Sequence, residues 1–514
     1  MRIHGKYFSM SLKRNILASY ATQIYVTLVG IVILPLYLKY MGAEAYGLVG
    51  FFTMLQAWFN LLDMGLTPTV ARETARFRGG ATDVLSYRRL LRALQLIFFA
   101  VALLGGGVMF VFSGLIADGW LKVQTLPLAQ VQLALQLMAV GVALRWMSGL
   151  YRGCISGSEE LVWLGGFNAL FATLRFVGVL PVLIWVGHSP GVFFTYQLLV
   201  AGVELACLAA KAYGLFPAVP QGQLLGWSPA SLFSPIKPVL KFSLTIAFTS
   251  SVWVLVTQTD KLVLSGILPL AEYGYFTLAV LAASGIMIIS GPISSVIMPR
   301  MTILHAEGKH KELIRVYRSS TQLVSIVAGS AAITLASCSE QLLFAWTGDL
   351  QLAEKAAPIL RLYAIGNGFL VISAFPYYFQ YAKGIMRYHV IGNAGMVVVL
   401  IPGIIFAATI FGATGAGWVW MIMNGLYLLL WVPYVHHKLE SGLHGVWVVN
   451  DVLKIILPVL VVALLVMSID IAHATRLASF IQVLIIGGIT LISALACSNA
   501  ARGMLVGRYL GGVK

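Results

Sequence analysis

Residues 35–80 read PLYLKYMGAEAYGLVGFFTMLQAWFNLLDMGLTPTVARETARFRGG, from Pro35 to Gly80. The stretch carries two helix ends, a tight turn MGAEAYG and a sharp change from apolar to basic. Its apolar run, Tyr46 to Leu66, is long enough to cross a hydrocarbon core of roughly 30 Å at about 1.5 Å per residue. Arg72, Arg76 and Arg78 follow within a few residues. This pattern predicts a membrane hairpin.

A similar stretch recurs from Asp260 to Gly308, DKLVLSGILPLAEYGYFTLAVLAASGIMIISGPISSVIMPRMTILHAEG. Ala-Glu again precedes Tyr-Gly, and Tyr273 falls about 227 residues after Tyr46. A second pair, SEELVWLGGFNALF around Asn168 and MRYHVIGNAGMVVV around Asn393, gives about 225 residues. Two matched pairs at one period predict two related halves, the internal symmetry of many transporters.

The 514 residues are 59% hydrophobic and 10% charged, with a mean hydropathy of +0.89. A soluble chain of this size needs more polar surface, so the composition predicts a polytopic membrane protein. Apolar runs near 15–38, 46–67, 91–114, 127–149, 161–185, 191–213, 242–266, 273–298, 318–345, 357–379, 390–411, 413–434, 452–471 and 478–500 give about fourteen spans. With the amino terminus in the cytoplasm, about 27 of the 34 basic residues lie in or beside cytoplasmic segments. Lys39, Lys122, Lys355, Arg361 and Arg476 fall near the other face. Both termini are therefore expected in the cytoplasm, and the +16 charge requires no nucleic acid.

The expected organisation is a first six-helix bundle over 1–215, a Pro- and Gly-rich cytoplasmic linker over 216–241, and a second bundle over 242–437. Two extra helices and a cytoplasmic tail follow over 438–514. An amphipathic helix on the cytoplasmic face is expected over 300–318. His436, His437 and His444 read as a solvated loop, since no carboxylate or cysteine stands at metal-ligand spacing. Cys154, Cys207, Cys338 and Cys497 form no CxxC pair. No P-loop and no Ser/His/Asp arrangement appears, so no catalytic residue is assigned.

Ionisable residues within spans are costly and call for a partner or a wet cavity. Asp63, Arg175, Glu204, Asp260 and Lys261 are of this kind, whereas Arg145 and Arg361 lie near enough to span ends to snorkel. Arg175 and Glu204 are about equally far from the turn near Ser189, which places them at one depth on antiparallel helices. Two readings stay open: a buried ion pair that neutralises itself and locks the fifth and sixth spans together, or an Arg175 that offers its fork to a phosphate; a pair exposed to a wet cavity does both. Asp260 and Lys261 are neighbours about 100° apart on a helix and are not expected to face each other. Lys261 is then left to a substrate. The connection with Arg72, Arg76, Arg78, Arg88, Arg89 and Arg92 is more basic than topology requires, which makes Arg72 a further candidate for phosphate contact.

LKRNILASYATQIYVTLVGIVILPLYLKYMGAEAYGLVGFF at 12–52, LLDMGLTPTVARET at 61–74 and TQTDKLVLSGILPLAEYGYFTLA at 257–279 resemble the polysaccharide flippases. These form the oligosaccharidyl-lipid branch of the multidrug/oligosaccharidyl-lipid/polysaccharide exporter superfamily, and the resemblance covers roughly residues 10–440. It implies two six-helix bundles around a cavity that opens alternately to each face of the bacterial inner membrane. The implied substrate is an undecaprenyl-diphosphate-linked glycan, an O-antigen or capsule repeat unit. No cofactor is implied, coupling to a proton or sodium gradient is, and a polysaccharide polymerase and chain-length regulator are the implied partners. The candidate substrate-binding set, read from the charges within the spans and the basic connection, is Lys261, Asp260, Arg175, Glu204, Asp63 and Arg72. A multidrug antiporter, a peptidoglycan-precursor flippase and a membrane glycosyltransferase stay open as alternatives.

Overall fold

The computed structural model describes residues 2–63, 65–218, 237–467 and 475–498. Among them the chain is helical, without a strand; one isolated bridge joins Lys122 to Pro269. In lipid a backbone must bond to itself, and helices do this within one segment. Twelve helical stretches are long and apolar enough to cross a membrane. One of them, Arg387–Leu439, has 53 residues, and Gly412 breaks it at φ 58° and ψ −142°. Dividing it there and adding the 31-residue helix Lys237–Ile267 reaches the expected tally of about fourteen. The chain is an all-α polytopic membrane protein. Of the expected 216–241 linker, 219–236 lie outside the described residues.

Packing divides the chain into two compact units, Met1–Gly274 and Tyr275–Lys514. The first contains α1 (Arg2–Met41), α2 (Ala43–Leu62), α3 (Leu66–Arg78), α4 (Val84–Val111), α5 (Leu128–Gly157), α6 (Leu161–Phe176), α7 (Val179–Trp185), α8 (Pro190–Leu215) and α9 (Lys237–Ile267). Because α9 packs on α2 and α3, it is grouped with this unit.

Helix α5 is the hub, in contact with α3, α4 and α8. Lipid tails are as apolar as side chains, so close packing rather than water exclusion holds membrane helices together. Gly149, Gly153 and Gly157 recur every fourth residue on α5; the last two let the α3 backbone approach, and Gly149 makes room for the Thr67 hydroxyl. A Cβ at Gly157 would stand 2.3 Å from the Ala71 carbonyl oxygen, and one at Gly153 2.8 Å from that of Thr67. Gly157→Ala is therefore expected to cost about 1–3 kcal/mol by overpacking. The unfolding temperature in detergent reads this, and an unchanged value would show that α3 is not seated through these glycines.

The two repeated turns meet within this unit. A Cβ at Gly47 would lie 2.1 Å from the Leu270 carbonyl oxygen, and one at Gly274 would lie 3.0 Å from that of Ala43. The two glycines thus permit two close backbone approaches at one contact. Glu44, in the first copy of the turn, accepts hydrogen bonds from the amides of Gln124, Thr125 and Leu126 and so pins the connection between α4 and α5. At the turn before α4, outside the spans, hydrogen bonds from Ser86 hold the Asp83 carboxyl below the usual carboxylate range.

The second unit corrects two expectations. No separate amphipathic helix occupies 300–318: the helix Leu270–Ala306 runs on, turns at Gly308 and restarts as His310–Val324. Leu313 and Tyr317 on the new helix are fully buried, since their apolar face is covered by protein. His436 is likewise buried rather than solvated. Tyr317 Oη lies 2.6 Å from its Nε2, and His444 Nδ1 lies 3.0 Å from its Nδ1, which satisfies both ring nitrogens. Nearby, Arg318 Nε donates to Asp451 at 2.7 Å and Gln322 adds a bond of 2.7 Å to the same carboxylate. The helices Lys454–Met467 and Arg476–Cys497 pack on Ser330–Ser337.

Candidate functional site

Helix α6 stops at Phe176 and the chain resumes as α7 at Val179, which frees backbone carbonyls at the break. Side chains satisfy them: Gln197 Nε2 donates to the Arg175 carbonyl at 2.9 Å, Tyr37 to that of Phe176 at 2.7 Å, and Tyr196 to that of Leu174 at 2.9 Å. Arg175 thus stands at a helix C-terminus, where the aligned peptide dipoles favour a cation.

Arg175 lines a cavity of about 550 Å³ together with Gln56, Arg145, Arg152, Asn168 and Glu204. A second cavity, of about 660 Å³, is lined by Asn60, Asp63, Thr67, Trp146 and Trp253 and again by Arg145 and Arg152. These two arginines border both spaces because they are seven residues apart on α5, close to two full turns at about 3.6 residues each.

Glu204 is the electrostatic centre of the first cavity, its side chain only 3% exposed. Arg152 pairs with its Oε1 and Arg175 with its Oε2, and Arg152 also donates to Asn168 Oδ1. Arg145 donates to Gln56 at 2.7 Å and to Gln197 at 2.9 Å, with its guanidinium over the Phe52 ring at 4.9 Å. Three guanidinium groups face one carboxylate in this cavity, which leaves two positive charges in surplus. The Nε groups of Arg145 and Arg175 are buried without an acceptor. A guanidinium carries five donors in a planar fork, so such a site matches the oxygens of a phosphate.

The Arg175–Glu204 pair matches the equal depth read from the sequence. Arg145 does not snorkel; it is bonded to two glutamines at the cavity. Arg152 fell outside the expected span 127–149, whereas α5 continues to Gly157. The signal for both was their seven-residue spacing.

The sequence model for the family described as "Polysaccharide biosynthesis protein" matches residues 12–305. The chain belongs to this family. A search of curated proteins returns no sequence match. Among solved structures, the lipid II flippase MurJ in an inward closed conformation is similar at a TM-score of 0.73 and 14% identity, over 96% of this chain and 99% of that one. An inward-facing multidrug resistance MATE family transporter of the MOP superfamily gives 0.62 at 16% identity, over 82% of this chain and 96% of that one. A MOP superfamily transporter from Pyrococcus furiosus gives 0.53 at 15% identity, over 85% and 96%. The fold is the one these solved structures share, as the sequence resemblance implied.

In this polysaccharide biosynthesis protein the remaining expected site residues are dispersed. Asp63 lines the second cavity, but its carboxylate accepts from Thr67 Oγ1 at 2.6 Å and from the Thr67 amide at 3.2 Å, and so fixes the start of α3. Arg72 lines neither cavity and lies 3.1 Å from Glu73, which also binds Arg76 at 3.0 Å. Asp260 and Lys261 do meet, contrary to expectation. Lys261 Nζ is 3.4 Å from Asp260 Oδ1 and donates to the Thr257 carbonyl at 2.6 Å. The flexible four-carbon stem of lysine folds back over the 100° that separates neighbours on a helix. Neither residue lines the two cavities.

Proposed function

We infer that this chain is a flippase that carries an undecaprenyl-diphosphate-linked oligosaccharide repeat unit, of O-antigen or capsule type, across the bacterial cytoplasmic membrane by alternating access. The observation that carries the reading is the surplus of arginine charge at Arg145, Arg152 and Arg175. A glycan and two phosphates cannot enter hydrocarbon without replacement of their water, and buried guanidinium forks replace it while the prenyl tail stays in lipid. In this reading the diphosphate lies against Arg145 and Arg152, which border both cavities. The first sugars extend into the second cavity, toward Asn60, Trp146 and Trp253. A proton or sodium gradient drives the cycle, and a polymerase with its chain-length regulator takes the product.

A second reading, a flippase for the peptidoglycan precursor, is favoured by one observation. The similarity to the lipid II flippase extends over 96% of this chain. Both substrates are polyprenyl diphosphates, so the arginine site serves either. Complementation separates the readings: the gene is expected to restore glycan display in a strain lacking its O-antigen or capsule flippase, and rescue only of a strain lacking its lipid II flippase would give the protein to the precursor.

The same assay ranks Lys261. With its ammonium held by Thr257 and Asp260, Lys261→Ala is expected to keep most glycan display at a normal membrane level, and its loss would return Lys261 to the substrate site. For orientation, the basic-residue asymmetry places Gly79 and Gly308 inside and Gly119 and Ser189 outside. Single cysteines at these positions, treated with an impermeant thiol reagent on intact cells, are expected to label only at 119 and 189. Labelling at 79 and 308 would reverse the orientation.

A further inference from the structure

Helices α4 and α8 both pack on α5 and are bridged to each other at their basic ends by side chains. Gln95 Nε2 donates to Tyr213 Oη at 2.9 Å, and the Arg88 guanidinium lies 5.2 Å from the centre of the Phe216 ring. Tyr151 of α5 packs against Tyr213, with ring centres 6.2 Å apart. The result is a recess of about 290 Å³ lined by Arg88, Leu91, Arg92, Gln95, Leu96, Tyr213 and Phe216. Among the described residues that line it there is no carboxylate, and none of them lines the two larger cavities.

Arg88 lies half-buried, with its Nε out of water and without an acceptor. Arg92 is one turn further along α4, and Leu96, Phe99 and Leu103 continue the same face at helical spacing. Phe99 and Leu103 are 58% and 63% exposed and Tyr213 is 52% exposed, so this face meets lipid tails. Two cations at the end of an exposed apolar stripe, beside aromatic rings, match a molecule with a phosphate head and acyl chains. The space is too small for a glycan-bearing diphosphate, whereas one phosphate group fits it.

We propose that this recess binds the phosphate headgroup of an anionic bilayer phospholipid between Arg88 and Arg92, with its acyl chains along Leu96, Phe99 and Leu103. The site ties the basic end of α4 and α8 to the leaflet and accounts for basic residues that the substrate cavity does not use. A lysine or arginine near an anionic membrane surface contributes enough for about a fivefold change in affinity.

The test is native mass spectrometry of the full-length protein in detergent, titrated with phosphatidylglycerol, phosphatidylcholine or undecaprenyl phosphate. Phosphatidylglycerol is expected to be retained over phosphatidylcholine. Arg88→Gln and Arg92→Gln are each expected to weaken that retention about fivefold, and Arg88→Lys to recover part of it. Arg152→Ala, in the separate substrate cavity, is expected to leave it unchanged, so a failure here is distinct from a failure of the flippase reading. Equal retention of the two phospholipids, or unchanged retention by the Arg88→Gln/Arg92→Gln protein, would overturn the proposal. Preferential retention of undecaprenyl phosphate would overturn it too, and would make the recess a site for the prenyl carrier.

Discussion

Glu204→Ala is expected to lower stability by about 3–5 kcal/mol, because it leaves two guanidinium groups without the buried carboxylate that holds both. The side chains of Arg152 and Arg175 are only 28% and 21% exposed, so water replaces little of what is lost. Glu204→Gln keeps the shape and one acceptor and is expected to cost less. Removal of Arg175 from the Glu204→Ala protein relieves part of the stranded charge, so the double variant should be less damaged than the sum of the single variants. Thermal unfolding in detergent measures all four proteins. Strict additivity would mean that the two groups do not interact.

Arg152→Ala is expected to act on transport instead. Glu204 keeps Arg175 as a partner, so the protein should reach the membrane at a normal level. A guanidinium that contacts a buried phosphate is worth about 2–5 kcal/mol on truncation, at least about a thirtyfold loss of affinity for the lipid diphosphate. Arg152→Lys keeps the charge but not the fork and should retain partial activity. Glycan display in a flippase-null strain, normalised to protein in the membrane, reads the effect. Wild-type display by Arg152→Ala would remove this residue from the substrate site.

The spans were legible because length and hydrophobic periodicity depend on local sequence alone. The meeting of Gly47 with Leu270 and of Gly274 with Ala43 follows from the same motif that marked the repeat. The Arg175–Glu204 pair was legible because a turn between two antiparallel helices sets both depths. Arg152 was missed because its helix extends past the apolar run: interior faces of a cavity tolerate charge, so hydropathy underestimates the helix. His436 was misread for the opposite reason. A polar run looks solvated unless its hydrogen-bond partners are known, and here Tyr317 is 119 residues away. The Asp260–Lys261 contact was missed because helix geometry fixes where a Cβ points, not where a long side chain ends.

In the flippase reading the arginines of the first unit recognise the diphosphate. The most direct test of this recognition is the affinity of purified protein in nanodiscs for undecaprenyl diphosphate against undecaprenol, for wild type and for Arg145→Gln/Arg152→Gln. The wild type should prefer the diphosphate by at least about thirtyfold, and the folded double variant should lose that preference. Equal affinity of the wild type for the two lipids, or an unchanged preference in the double variant, would contradict the account.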